Sequence, residues 1–256
     1  MFANFQGTTK DEPRSKKTRL QNYLLSSLRV DILIEAQLLL LTFSTGIQDA
    51  ISFPDFHCFA SNQTGNSVVL AVGLAGLGSD LFNVSNVGVS LGCFIGGAIT
   101  TGQISHFAGQ RRRAWLLFSH LLQTIMIFGA AWIQSNSAAR GSGPSALGAI
   151  ALLAFSSGAQ VASMRPMRIP EITTAMATAA WVDLVVDSNL LVLKNRSRDR
   201  RALFLLALVA GSFAGAFMHV GIGSSNALIV SACGKLLVFL TIFFNREQKP
   251  PAETDV

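Results

Sequence analysis

The chain has 256 residues, of which only 13% are charged, against about a quarter in an average soluble domain. Residues 81–110, 114–139 and 141–164 contain no Asp, Glu, Lys or Arg. A bilayer core of about 30 Å needs roughly 20 apolar helical residues, so stretches of this length exclude a soluble enzyme domain. The formal charge of +6 comes from clusters at residues 10–19, 111–113 and 194–201. Each lies beside an apolar stretch, which marks cytoplasmic loops of a polytopic protein in preference to nucleic-acid or lipid-headgroup binding.

In chain order, residues 1–29 are polar and basic and lack the apolar core and cleavage site of a secretion signal. They read as a disordered cytosolic tail, and residues 245–256, with Pro250 and Pro251, read as a second one. Between them lie eight apolar segments, at about 31–53, 63–78, 84–107, 115–133, 144–164, 172–193, 202–222 and 227–244. The second is short and broken by Gly65, Gly73, Gly76 and Gly78, and the sixth carries Asp183 and Asp187.

If all eight segments crossed with Met1 inside, the arginines at 111–113, Arg165 and Arg168 would lie outside, against the positive-inside tendency. If the second and sixth instead enter and leave by one side, all these residues and the 194–201 cluster move inside, both termini are cytosolic, and only Arg140 stays outside. The expected fold is an all-α integral membrane protein with six spanning helices and two short broken or re-entrant segments. Irregular backbone at that depth is tolerated where protein buries it or it lines a wet cavity.

The chain also resembles itself. An offset of 112 residues sets Phe43, Ser44, Gly46, Gln48, Ala50 and Pro54 on Phe155, Ser156, Gly158, Gln160, Ala162 and Pro166. One residue later in register, Thr64 and Gly65 fall on Ala177 and Thr178. Two repeats follow, at 30–140 and 141–244. With three crossings each they enter from opposite sides, the inverted arrangement of many transporters, whose sites form where discontinuous helices meet at midplane.

The run from Phe43 to Phe53, with Gly46, Asp49 and Ala50, and the Thr64-Gly65-Asn66 block resemble the YoaK family, also known as DUF1275. So do Gly158 to Ala162 and Pro170 to Met176 in the second half, and the likeness covers residues 30–245. The resemblance implies a multi-pass membrane protein of no settled substrate. Where the family usually has Gln-Asn-Ala and Met-Thr-Gly, this chain has Gln160-Val161-Ala162 and Met176-Ala177-Thr178, which implies a lopsided site.

Ionisable groups within apolar segments mark functional sites, because a charge at the bilayer centre costs roughly 3 kcal/mol even on permissive scales. Glu35, Asp49, Asp183, Asp187 and Lys235 qualify. Asp49, with Gln48, is the strongest candidate for a cation, proton or amine contact. Glu35 reads as reaching the headgroups. Asp183 and Asp187 share a helical face and suit pairing with Lys194 or Arg196, while Lys235 calls for an acid such as Asp49 or Glu35. Asn62, Gln63, Thr64, Gly65 and Asn66 form a polar helix start whose free amides favour anions or carbonyl oxygens, and Thr173 and Thr174 take the matching place in the second half. The candidate ligand contacts are thus Gln48, Asp49, Asn62, Thr64, Gly65, Asn66, Gln160, Thr173 and Thr174.

No histidine has metal-ligand spacing, no G-x-S-x-G element or Ser-Lys arrangement suggests an intramembrane hydrolase, and no cofactor motif occurs. Cys58, Cys93 and Cys233 read as small buried helix residues. Gly92 with Gly96 and Gly211 with Gly215 fit G-x-x-x-G helix packing. The expected partners are the lipid bilayer and an unidentified small molecule or ion, with no nucleic acid, and a homo-oligomer is compatible with the pattern. The leading function is a transporter or channel-like protein. A non-transporting membrane scaffold or sensor is the alternative.

Overall fold

Asp31 starts the first long helix by accepting hydrogen bonds from the amides of Leu33 and Ile34, two of the donors that a helix start leaves without partners. The computed structural model describes residues 16–77, 82–137 and 141–248. The order is α1 (Lys16–Leu25), α2 (Ile32–Phe56), α3 (Gln63–Leu74), α4 (Val84–Ala108), α5 (Arg113–Ser137), α6 (Pro144–Met164), α7 (Thr178–Val185), α8 (Arg196–Ile222) and α9 (Ser224–Thr241). Among the described residues the only β-type pairings are two isolated bridges, Ser27 with Arg112 and Leu28 with Glu247. The expected tails at 1–15 and 249–256, residues 78–81 and Arg140 lie outside the described residues.

Two parts of the expected tails have structure. Residues 16–25 form α1, and the Tyr23 hydroxyl meets the buried guanidinium of Arg113 at 2.7 Å. At the other terminus Asn245 is buried, and the Gln248 amide donates to the Ser27 carbonyl at 2.8 Å. Five helices, α4, α5, α6, α8 and α9, are long and apolar enough to cross a membrane. The expected sixth, α2, matches them in length but carries Glu35, Asp49 and Asp55. The 172–193 segment yields only the eight-residue α7.

Hydrogen bonds sort the helix ends. Leu28 donates to the carbonyl of Arg111, Arg29 to that of Arg246, and Arg111 Nε to that of Pro166. Arg196 and Arg200 at the start of α8 meet Glu35 near the start of α2. One end of the bundle therefore gathers the basic loops. At the other end Gly141 donates to the carbonyl of Asp55, Asn86 to those of Phe56 and Gly141, and Ser225 to that of Ala131. Accordingly α2, α5 and α8 leave the basic end, and α4, α6 and α9 return to it.

The packing repeats when the halves are exchanged. α2 lies on α8 as α6 lies on α4, α5 touches α6 as α9 touches α2, and α3 rests on α4 as α7 rests on α8. The closest approaches repeat as well. A β-carbon on Gly46 would stand 2.5 Å from the Leu208 carbonyl oxygen, and one on Gly158 would overlap that of Phe94. Gly211 is pressed likewise on Phe43, and Gly97 on Phe155. The expected Gly211 and Gly215 packing is present, against Phe43 and Ile47. Gly92 and Gly96 do not pack, since nothing lies within 4 Å of a β-carbon there; one residue of helix phase hands the α4 contact to Gly97.

The apolar core is in two parts. Leu28, Ile34, Leu38, Trp115 and Phe204 form one nearer the basic end, and Ile47, Ile51, Phe56, Ile127, Leu153 and Leu228 the other. A layer of polar side chains separates them.

Candidate functional site

The polar layer is built from the middles of α2, α5, α6 and α9. Gln48 Nε2 donates to Ser231 Oγ at 2.9 Å, and Ser231 Oγ donates to the Ser44 carbonyl at 3.0 Å. Gln160 Nε2 donates to Thr45 Oγ1 at 3.0 Å, and Lys235 Nζ to Ser156 Oγ at 3.0 Å. Because Ser156 and Gln160, and Ser231 and Lys235, are each one helical turn apart, these contacts close into a ring linking α6, α2 and α9. Gln123 extends it onto α5 through its bond to Ser119 at 3.0 Å and its carbonyl, which accepts from Ser156. Every residue named in the ring is buried, and Ser44 Oγ, Gln48 Oε1, Gln123 Oε1, Ser157 Oγ and Gln160 Oε1 have no partner. Such groups usually find a partner, often an ordered water.

The expected acid partner of Lys235 is absent among the described residues. Glu35 is held by Arg196 and Arg200, so it does not simply reach the headgroups. Asp49 accepts from the Ser61 amide at 2.8 Å and from the Ser61 hydroxyl. Asp183 and Asp187 meet Arg201, at 3.9 and 3.5 Å, in place of Lys194 or Arg196. Asp187 also accepts from the Asn189 amide at 2.8 Å and from Asn195 at 3.0 Å. Of the cysteines only Cys58 is buried, and it lies between helices.

A second polar place lies where the short helices begin. A cavity of about 390 Å³ is lined by Asp49, Ser61, Asn62, Gln63 and Thr64 on one side and by residues 175–179 on the other, with Phe94, Leu208 and Ser212 between. The starts of α3 and α7 line it, and at α3 the amides of Gln63, Gly65 and Asn66 are already bonded to Ser61 and Asn62. Its polar side chains come mainly from the first half, because Ala175, Met176, Ala177 and Ala179 occupy the other wall. Pro54 within α2 has no amide to offer the Ala50 carbonyl, which loosens the helix one turn beyond Asp49.

The nine candidate contacts thus fall into three groups. Asp49, Asn62 and Thr64 line the cavity, whereas Gln48 and Gln160 belong to the polar layer. Asn66, Gly65 and Thr173 are engaged in holding loops, and Thr174 is buried. Asn66 is fully buried and bonds the amide and carbonyl of Phe59, Gln63 and Ser90. A β-carbon on Gly65 would meet the Phe59 ring at 3.1 Å. Thr173 Oγ1 bonds the backbone of Met176, and Thr174 is buried at a φ of 65° with its hydroxyl unpartnered. The place opposite Asn62 to Thr64 is taken by Ala175 to Ala177, not by Thr173 and Thr174.

Three residues were not singled out in the sequence as site candidates. Asp55 is buried, accepting from Gln134 at 2.6 Å and facing His219 at 3.7 Å. Arg113 is buried among carbonyls, and His120 closes the polar layer toward the basic end. For Asp55 a signal existed, an acid inside an apolar helix; for Arg113, the last of three consecutive arginines, only helix phase decides.

No group of three or more potential metal ligands occurs among the described residues. A bundle of five bilayer-length apolar helices, with the short α3 and α7 resting on α4 and α8, defines a multi-pass membrane protein. Residues 37–241 match the family described as a protein of unknown function, DUF1275, and the chain belongs to that family. Neither a curated protein nor a solved structure matches it.

Proposed function

We propose that the chain is a transporter or channel-like protein of two inverted repeats, in which α2, α4, α5, α6, α8 and α9 cross the membrane and α3 and α7 enter it from opposite faces. The observation that carries this reading is the cavity between the starts of α3 and α7, with Asp49 in its wall. A cavity beside two helix starts suits a small polar molecule or ion, because Asp49, Asn62 and Thr64 offer it polar groups where lipid offers none. The exchanged packing of the halves and the gathering of basic loops at one end support opposite insertion, with that end and both termini cytosolic.

The test is flux in liposomes holding the purified protein, across a panel of small polar solutes and ions, with Asp49→Asn as control. Flux that the variant abolishes is the expected result; absence of flux across the panel overturns the reading in favour of a scaffold or sensor. Cysteine labelling at residues 111–112 and 78–84 tests the topology. Access from opposite faces is expected, and access from the same face refutes six crossings.

A further inference from the structure

At the basic end a cleft of about 960 Å³ opens between Tyr23, residues 29–30, the start of α5 and residues 244–248. Four arginines line it, Arg29, Arg111, Arg113 and Arg246, against a single acid, Glu247. Arg113 is 1% exposed. Its Nη1 donates to the Tyr23 hydroxyl at 2.7 Å and to the carbonyls of Ile242 and Phe243, and its Nη2 to that of Asn245 at 2.7 Å. Those acceptors are neutral: they satisfy donors without cancelling the charge, and Nε has no partner at all.

The arginines at the start of α8 show how the same protein neutralises such groups. Arg196 and Arg200 meet Glu35, Arg200 also meets Glu171, Arg198 meets Asp199, and Arg201 meets Asp183 and Asp187. Among the described residues none of the four cleft arginines has a carboxylate within ion-pair distance. Arg111 uses Nε on the Pro166 carbonyl, and among the described residues no side-chain hydrogen bond holds Arg29 or Arg246. A buried guanidinium without counter-charge is costly, and the planar guanidinium fork matches phosphate oxygens in pairs.

We infer that this cleft binds a phosphate group, held by Arg29, Arg111 and Arg246, with the uncancelled charge of Arg113 behind them. Two sources share that chemistry, the headgroup of an anionic phospholipid and free inorganic phosphate. The site is independent of the transport reading, since it lies at the end of the bundle and shares no residue with the cavity at Asp49.

The experiment measures binding to the detergent-purified full chain by thermal shift and native mass spectrometry. The probes are inorganic phosphate, short-chain phosphatidic acid, and phosphatidylcholine of the same chain length. Binding of phosphatidic acid without free phosphate identifies a lipid site, binding of free phosphate with or without the lipid identifies a site for the phosphate group itself, and either supports the inference. Arg113→Gln risks the fold, so the deciding variant is Arg29→Gln with Arg246→Gln, both exposed; affinity should fall at least tenfold. Arg112→Gln with Arg168→Gln removes the same charge from exposed positions outside the cleft and should leave affinity unchanged. The inference is overturned if neither phosphate source binds, if phosphatidylcholine binds equally, or if the two double variants lose affinity alike.

Discussion

The ammonium of Lys235 rests 3.0 Å from the hydroxyl of Ser156, in a layer of the bundle that holds amides and hydroxyls and, among the described residues, no acid paired with it. Burying an amine without a counter-charge costs free energy. Lys235→Met keeps the length of the side chain and removes the polar end, so it should unfold at the same temperature as the parent protein or higher. Ser156→Ala, which leaves the amine in place without its partner, should lose about 1–3 kcal/mol. Thermal unfolding in detergent checks both, and a Lys235→Met protein that fails to fold would sink this account.

The glycine contacts give a sharper contrast. Gly158→Ala and Gly211→Ala drive a methyl group into the backbone of Phe94 and Phe43 and should each cost about 1–3 kcal/mol. Gly96→Ala, with nothing within 4 Å, should change stability by no more than about 0.5 kcal/mol. Equal damage at Gly96 and Gly158 in the same unfolding assay would contradict the described helix phase.

Asp49 has two roles that substitution can separate. Asparagine can still accept from the Ser61 amide and donate to its hydroxyl, so Asp49→Asn should stay folded while flux falls at least tenfold. Asp49→Ala leaves the Ser61 amide unpaired and should cost about 1–3 kcal/mol in stability. If Asp49→Asn transports like the parent, the charge has no part in function.

Asp187 lies outside the long helices, and its carboxyl is held below the ordinary carboxylate range by the Asn189 amide first, then by Asn195 and Arg201. The folded-state value is therefore lower than the unfolded one, and the contribution of this group is complete above the unfolded range and lost as pH falls through the folded value. Asp187→Asn should loosen residues 186–195 at neutral pH, with the difference from the parent shrinking as the carboxyl is protonated in acid. Hydrogen exchange in that segment is the measurement; a gap that widens on acidification would reverse the sign.

Much of the architecture was legible because apolar length and flanking charge report directly on helices in a bilayer. Residues 144–164 were delimited from sequence as they stand in α6, and 84–107 differs from α4 by one residue. The 172–193 segment was expected to be short and broken, and it holds the eight-residue α7, after which the chain coils where Asp187 turns back to bond Asn189 and Asn195. α1 was hidden because ten mostly polar and basic residues make a marginal helix alone; docking of Tyr23 on Arg113 supplies the missing contact. Of the site, Asp49 and Asn62 to Thr64 were readable from their position beside a helix break, and Gln48 and Gln160 from their repetition. Where Lys235 would point was not, since a partner in space leaves no mark in spacing.

The reciprocal packing has a consequence for biogenesis. α2 finds its covering surface on α8 and α9, and α4 finds its own on α6, so the first half emerges from the ribosome with its main faces bare. It must wait in the lipid until the rest of the polypeptide is made. Severed between Ser137 and Gly141 and produced from two messages, the fragments should be degraded singly and survive together.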